Sequence, residues 1–232
     1  MSLLTIARAV SQDCGFASPA SIVGNADDTA VMLLALINKS GKALARRPWA
    51  TLQKEHTITT VIGTPDYALP VDYGYYENDT AWDRTGFLPI AGSLSPQEWQ
   101  IFKSSQIGSG IPFTSFRVKA GRVYLDPTPV DVRTLVIEYV SKRWVSNVAG
   151  TTFYDSFQID TDLSLIDEYL LELDLTWRFL ERKGLAYDEA KLEADETIDL
   201  MLGQDVPRNP IDLNDRGGAW PPLPRAPLTG FG

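Results

Sequence analysis

The chain has 232 residues, 44% hydrophobic and 22% charged, enough apolar side chain to bury a core without disulfides in one or two domains. Cys14 is the only cysteine and His56 the only histidine, which excludes an intramolecular disulfide and the zinc sites that need several Cys or His, and suits a reducing compartment. The formal charge of -9 is concentrated between Asp155 and Asp205, where fifteen acidic residues face four basic ones for a net of -11 against +2 elsewhere, so the basic footprint of a duplex-gripping protein is absent.

No apolar run approaches the roughly 18 residues that cross a bilayer, and the opening MSLLTIARAVSQDCG lacks the layout of a secretory signal, so neither a membrane span nor a signal peptide is expected. Leu3, Ile6, Ala7, Val10 and Cys14 recur at helical spacing behind Ser2 as N-cap, and Gly15 ends that helix. Asp27 or Asp28 caps a second helix with a buried stripe of Ala30, Leu33, Leu34, Ile37, Gly41 and Leu44, and Pro48 stops it. Its cations Lys39, Lys42 and Arg46 lie near the C-terminal end, where the helix dipole favours them.

From Thr51 to Gly150 the period shifts towards two and turn residues recur about every ten positions, which predicts short antiparallel strands. Strands are expected over Leu52 to Thr60, Tyr73 to Asp83, Phe87 to Ile90, Thr114 to Lys119, Arg122 to Asp126 and Arg133 to Val145, with Ala120-Gly121 as a hairpin turn. Ser95-Pro96-Gln97-Glu98 is a capping box with proline at the first helical position, so one helix interrupts the strands. The aromatics of this region, Tyr67, Tyr73, Tyr75, Tyr76, Trp82, Trp99, Tyr124, Tyr139 and Trp144, are read as filling a β core rather than lining a sugar-binding face.

From Asp162, taken as an N-cap, the helical period returns. Ile166, Leu170, Leu173, Trp177 and Leu180 form one stripe, and Leu171, Leu175 and Phe179 form a second on another side. A helix apolar on two faces needs two partners, so Leu171, Leu175 and Phe179 are assigned to a subunit interface. Lys183-Gly184 closes it, and a further helix runs from about Tyr187 to Leu202 with a narrow apolar stripe and otherwise acidic faces. From Gln204 to Gly232 six prolines and four glycines give a tail that cannot fold alone and is expected to drape over partner subunits. Trp220, beside Pro221-Pro222 in a stretch with no core of its own, suits an anchor in a partner's pocket.

Chemistry-bearing residues are sparse. Glu168 and Glu172, four apart on one helix, have the residue types of a glycosidase acid–base pair, yet read more simply as an ion-paired or solvated face. Asp160-Thr161-Asp162 lacks any calcium-loop spacing. His56 is read as a strand-surface residue and Cys14 as a small buried hydrophobe. Gly108-Ser109-Gly110 lacks the Lys-Ser/Thr of a phosphate loop and is read as a flexible loop. No cofactor, metal or catalytic residue is assigned, and no enzymatic activity is expected.

The ordered segments LLALINKSGKALARRPWATLQKEHTITT, DYALPVDY, NDTAWDR, LSPQEWQIFKSS, FRVKAGRVYLDPTP, IEYVSKRWV and LTWRFLERKGLAYDEA, between about Leu33 and Ala190, resemble the head-to-tail adaptor family of tailed bacteriophages, in particular of short-tailed phages. The resemblance implies an α+β protomer. A helical bundle from both ends of the chain (1–50 and 151–203) would carry an inserted antiparallel β-domain (51–150) and an extended partner-binding tail (204–232). It also implies a ring of copies of this chain, typically a dodecamer, beneath the portal protein. That ring continues the DNA channel, with the genome passing through unbound, and docks the next tail component, a nozzle or tail tube, at the head–tail junction of a virion assembled in the host cytoplasm. On this reading Glu189, Glu193 and Glu196 line the channel, and Arg216, Trp220, Pro221, Pro222, Arg225 and Phe231 hold the tail to the portal. The alternative is a virion-associated carbohydrate-binding or glycan-hydrolysing protein built on Glu168 or Glu172.

Overall fold

The structure is a computed structural model that describes residues 2–104 and 114–205. The described residues form a mixed α+β fold with five α-helices and antiparallel sheets. Helix α1 (Leu3–Asp13) starts where the Ser2 hydroxyl accepts the Thr5 N–H, and buries Leu3, Ile6, Ala7 and Val10 as its spacing requires. Helix α2 (Asp28–Leu44) takes Asp27 as its cap, the carboxylate accepting the Ala30 N–H at 3.3 Å. Its buried face adds Ser40 to the expected stripe, while Leu34 is only half-buried.

A single 3-10 turn (Ala50–Leu52) leads into β1 (Gln53–Thr59), β2 (Asp66–Ala68), β3 (Tyr73–Tyr76), β4 (Trp82–Asp83) and β5 (Leu88–Pro89). After α3 (Pro96–Ser104) come β6 (Ser115–Lys119), β7 (Arg122–Asp126), β8 (Thr134–Ser141), β9 (Val145–Ser146), β10 (Phe153–Tyr154) and β11 (Leu163–Ser164). Strand β8 is the hub. It pairs β1 from Gln53↔Val140 to Thr59↔Thr134, and β3 and β4 on its other edge, with β5 beyond β4. Strands β2, β7 and β6 form a second sheet, and β10, β9 and β11 a third.

The capping box forms as written, Ser95 N–H donating to Glu98 and Glu98 N–H to the Ser95 hydroxyl. Ala120 (φ 49°) and Gly121 (φ 72°) are both left-handed, the turn that matches strand twist in a two-residue hairpin. Two expected strands are divided. The stretch Tyr73 to Asp83 turns between β3 and β4, where the Thr80 hydroxyl donates to the Glu77 carbonyl, and the stretch Arg133 to Val145 breaks after Ser141. Strand β2 has only three residues, too few for an alternating pattern to register.

Helix α4 (Glu168–Lys183) begins later than expected. Asp162 is not its cap: that carboxylate is buried and accepts the N–H groups of Gln158 and Ile159 in the preceding turn, while Asp167 receives those of Tyr169 and Leu170. Gly184, at φ 72°, ends α4 in the left-handed conformation only glycine adopts without cost, and α5 (Asp188–Asp205) follows. Two hydrophobic clusters result. The larger joins α1, α2, α4 and α5 with Trp144, Val145 and Phe157, and the smaller takes Ile58, Phe116, Val123, Leu125, Leu135 and Ile137 from the β8 sheet and the β2-β7-β6 sheet. Trp144 therefore leaves the β core assigned to it from sequence. The strand break swings its ring onto Gly41 of α2, edge-on to Phe157 at 5.1 Å, with its indole N–H on the Asp155 carbonyl.

Candidate functional site

The stripe Leu171, Leu175 and Phe179 is fully buried within the single chain, in the cluster shared with α1 and α2. This corrects its assignment to a subunit interface, because side chains with no exposed surface have none left to bury against a neighbour. Asp174 of α4 is buried in the same contact. It accepts from Ser40 of α2, from the Trp177 indole at 2.8 Å and from the Arg178 guanidinium at 2.7 Å. A carboxylate so enclosed is tolerated because each of its acceptors is filled.

Helix α5 presents the opposite situation. Only Ala194 and Ile198 are buried, so one narrow stripe seats it against the fold. Glu189, Glu193 and Glu196 are all exposed, and none forms an ion pair among the described residues. Elsewhere on α5, Asp199 pairs with Arg47 at 3.2 Å, Asp205 accepts the Ala50 N–H at 2.7 Å, and Lys191 lies over the Trp177 ring instead of a carboxylate. Like charges at i,i+4, as at Glu189/Glu193 and Asp195/Asp199, cost a few tenths of a kcal/mol each. No cation among the described residues pairs with Glu189 or Glu193. The arrangement has the chemistry of an anion-repelling surface.

Glu168 and Glu172 both line an open cavity of about 820 Å³ between the 3-10 turn, the start of α4 and the end of α5, together with Trp49, Tyr169 and Asp205. Burial, and secondarily Asp13, raises the Glu172 carboxyl above its ordinary range, and one of its oxygens has no hydrogen-bond partner. His56 is not a surface residue. It is half-buried beside Leu69, Tyr73, Tyr76 and Ile137, and burial depresses its pKa. Cys14 is half-buried at the end of α1, its thiol pKa pushed up by burial and then by Asp13. Asp160 accepts the N–H groups of Ile22 and Val23, so it and Asp162 stitch loops together. Arg216, Trp220, Pro221, Pro222, Arg225, Phe231 and the Gly108–Gly110 loop lie outside the described residues.

The model of one protein family, the SU10 adaptor proteins, matches residues 1–209. The chain belongs to the SU10 adaptor family. No curated protein matches it. Family membership makes this adaptor a phage structural protein and virion component, in agreement with the resemblance carried by the ordered segments. No helix of the adaptor's described residues is long and apolar enough to cross a membrane. The exposed acidic helix is thus a feature of a structural protein and calls for a structural explanation.

Proposed function

We propose that this adaptor assembles as a ring, of about twelve copies, beneath the portal and continues the DNA channel towards the tail. The observation that carries the reading is α5, whose Glu189, Glu193 and Glu196 are exposed and unpaired among the described residues. Carboxylates lining a lumen repel phosphates, so a duplex slides past without being held. Residues 1–50 and 151–203 form the ring, 51–150 the inserted β-domain that meets the next tail component, a nozzle or tail tube, and 204–232 the tail. In that tail Arg216, Trp220, Pro221, Pro222, Arg225 and Phe231 hold the portal. With Leu171, Leu175 and Phe179 inside the fold, contact between copies falls to exposed helix faces such as that of α2, which carries Val31, Ala35 and Lys39.

Electron microscopy of the purified adaptor, alone and mixed with portal protein, tests the reading. Closed rings that cap the portal, with α5 towards the lumen, are the expected result; a monomer in both preparations would overturn it. The shared cavity of Glu168 and Glu172 supports a second reading, glycan hydrolysis. Release of reducing ends from host surface polysaccharide, abolished by Glu172→Gln, would favour that reading over the first.

A further inference from the structure

One groove is basic in a chain of net charge -9. It encloses about 410 Å³ where the C-terminal end of α2 meets β3 and the residue after β8, with Lys42, Arg46 and Lys142 around Ala45, Tyr73 and Tyr75. Asp155 is the one carboxylate lining it, so three cations face a single negative charge. None of the three forms an ion pair among the described residues. The α2 dipole favours Lys42 and Arg46 at the helix end, but it gives no reason for Lys142, which arrives a hundred positions further along the chain. Lys42, and Arg46 just past the helix end, continue the exposed line of Val31 and Ala35. The one carboxylate of α2, Asp28, stands about 20 Å from Lys42 at the other end of the helix.

Helix α5 carries the complementary surface. Asp188, Leu192, Asp195 and Asp199 recur at i, i+4, i+7 and i+11, so they share one face. That face lies about 100° around the helix from Glu189, Glu193 and Glu196, while Ala194 and Ile198 occupy a third side, against the fold. Asp188 and Asp195 form no ion pair among the described residues, Asp199 holds Arg47, and Leu192 is 60% exposed between the first two. One side of α5 is thus seated on its own fold and one is free for the lumen. The third, acidic around an exposed leucine, serves neither.

We propose that the basic groove of each copy takes the Asp188–Asp199 face of α5 from the next copy around the ring. Lys42, Arg46 and Lys142 meet Asp188 and Asp195, and Leu192 leaves water against the aromatic wall of Tyr73 and Tyr75. The proposal rests on the ring reading and deepens it by naming the contact between copies. Charge selects the occupant: residues 155–205 hold the acidic surplus of the chain, whereas residues 206–232 carry three arginines against two aspartates and do not complement a basic groove. The chain's own α5 commits Asp199 to Arg47 and leaves the three groove cations unpaired among the described residues. Groove and helix face are different surfaces, so the contact is heterologous and propagates into a ring instead of closing a dimer. In a ring whose α5 runs along the channel, the face about 100° round from the lumen side points at the adjoining copy.

Zero-length carbodiimide coupling tests the contact on the unmodified adaptor. Rings assembled from equal parts of isotope-light and isotope-heavy chains are coupled, digested and read by mass spectrometry, so that a peptide pair of mixed isotope marks a bond between copies. Mixed pairs joining Lys42 or Lys142 to Asp188 or Asp195 are the expected result. Closed rings without such pairs overturn the proposal and leave the ring reading standing. Closed rings with these lysines joined to Glu189, Glu193 or Glu196 overturn it too, and remove those residues from the lumen. Absence of rings brings down the ring reading and the proposal together. Lys42→Glu with Arg46→Glu should raise the concentration at which rings form at least tenfold, and adding Asp188→Lys with Asp195→Lys should restore it. Assembly unchanged by the first pair, or not recovered by the second in chains that melt as the parent does, refutes the pairing. Duplex DNA retained by the parent and released by Lys42→Glu would assign the groove to phosphate instead.

Discussion

Gly41 was assigned to the buried stripe of its helix by spacing, but spacing says nothing of why glycine stands there. A Cβ at Gly41 would fall 2.1 Å from the Trp144 ring, which cannot retreat because its indole N–H is bonded to Asp155 and its edge meets Phe157. Alanine favours a helix by about 1 kcal/mol over glycine, yet overpacking a core costs about 2 kcal/mol. Gly41→Ala is therefore expected to lower the urea midpoint, and a raised midpoint would show that Trp144 can move. His56 gives a residue-scale pH dependence. Its pKa is depressed in the fold, so the neutral form is the one the fold holds. That contribution to stability is complete above the ordinary value of 6.5 and is lost as pH falls through the lowered one. Thermal melts of the parent and His56→Gln should diverge between about pH 7 and pH 5, the parent losing more; parallel profiles would contradict the burial of the imidazole. Alternation along β1 sets His56 on the face opposite Thr57 and Thr59, and only the neighbourhood of Tyr73, Tyr76 and Ile137 shows that this is the inner face and not the surface expected from sequence.

Elements whose signals are local came through from the sequence. The Ser95 capping box, the Asp27 cap and the Ala120-Gly121 turn each depend on residues within four positions of one another, and each is present. The turn also carries a correctable strain, since Ala120 holds φ 49° with a Cβ that glycine or asparagine tolerates better. Ala120→Asn should stabilise the protein by roughly 0.5–1 kcal/mol, read as a higher urea midpoint, with the β6–β7 register unchanged. Signals that depend on distant partners were misread. Asp162 has the residue type and the place of a cap, just ahead of the apolar run, but β11 intervenes and Asp167 takes that role. The two stripes of α4 were correctly seen as needing two partners; α1, α2 and α5 of the same chain supply them.

At the scale of the molecule, Asp205 at the end of α5 accepts the Ala50 N–H and so ties the last helix back to the 3-10 turn that leads into β1. Truncation after Asp205 is expected to leave the thermal transition within about 1 °C of the full chain, since a stretch with six prolines and four glycines between Gln204 and Gly232 has too little apolar side chain to build a core of its own. The same truncation should abolish co-sedimentation with portal rings. Retained binding would move the portal contact out of the tail.

The sequence by itself determined the helix starts with local caps, most of the strand region, the placement of negative charge on the last helices and, through its ordered segments, the adaptor family. These follow from spacing and composition, which the chain carries before it folds. Only the tertiary structure decided that both apolar stripes of α4 are covered within the chain, that Asp174 is enclosed while Glu189, Glu193 and Glu196 are not, and that the exposed Val61, Ile62, Phe87, Val130 and Val132 of three loops share one end of a sheet. Periodicity marks a face but does not name what covers it, and loops far apart in sequence meet only through the pairing of β1 and β4 with β8.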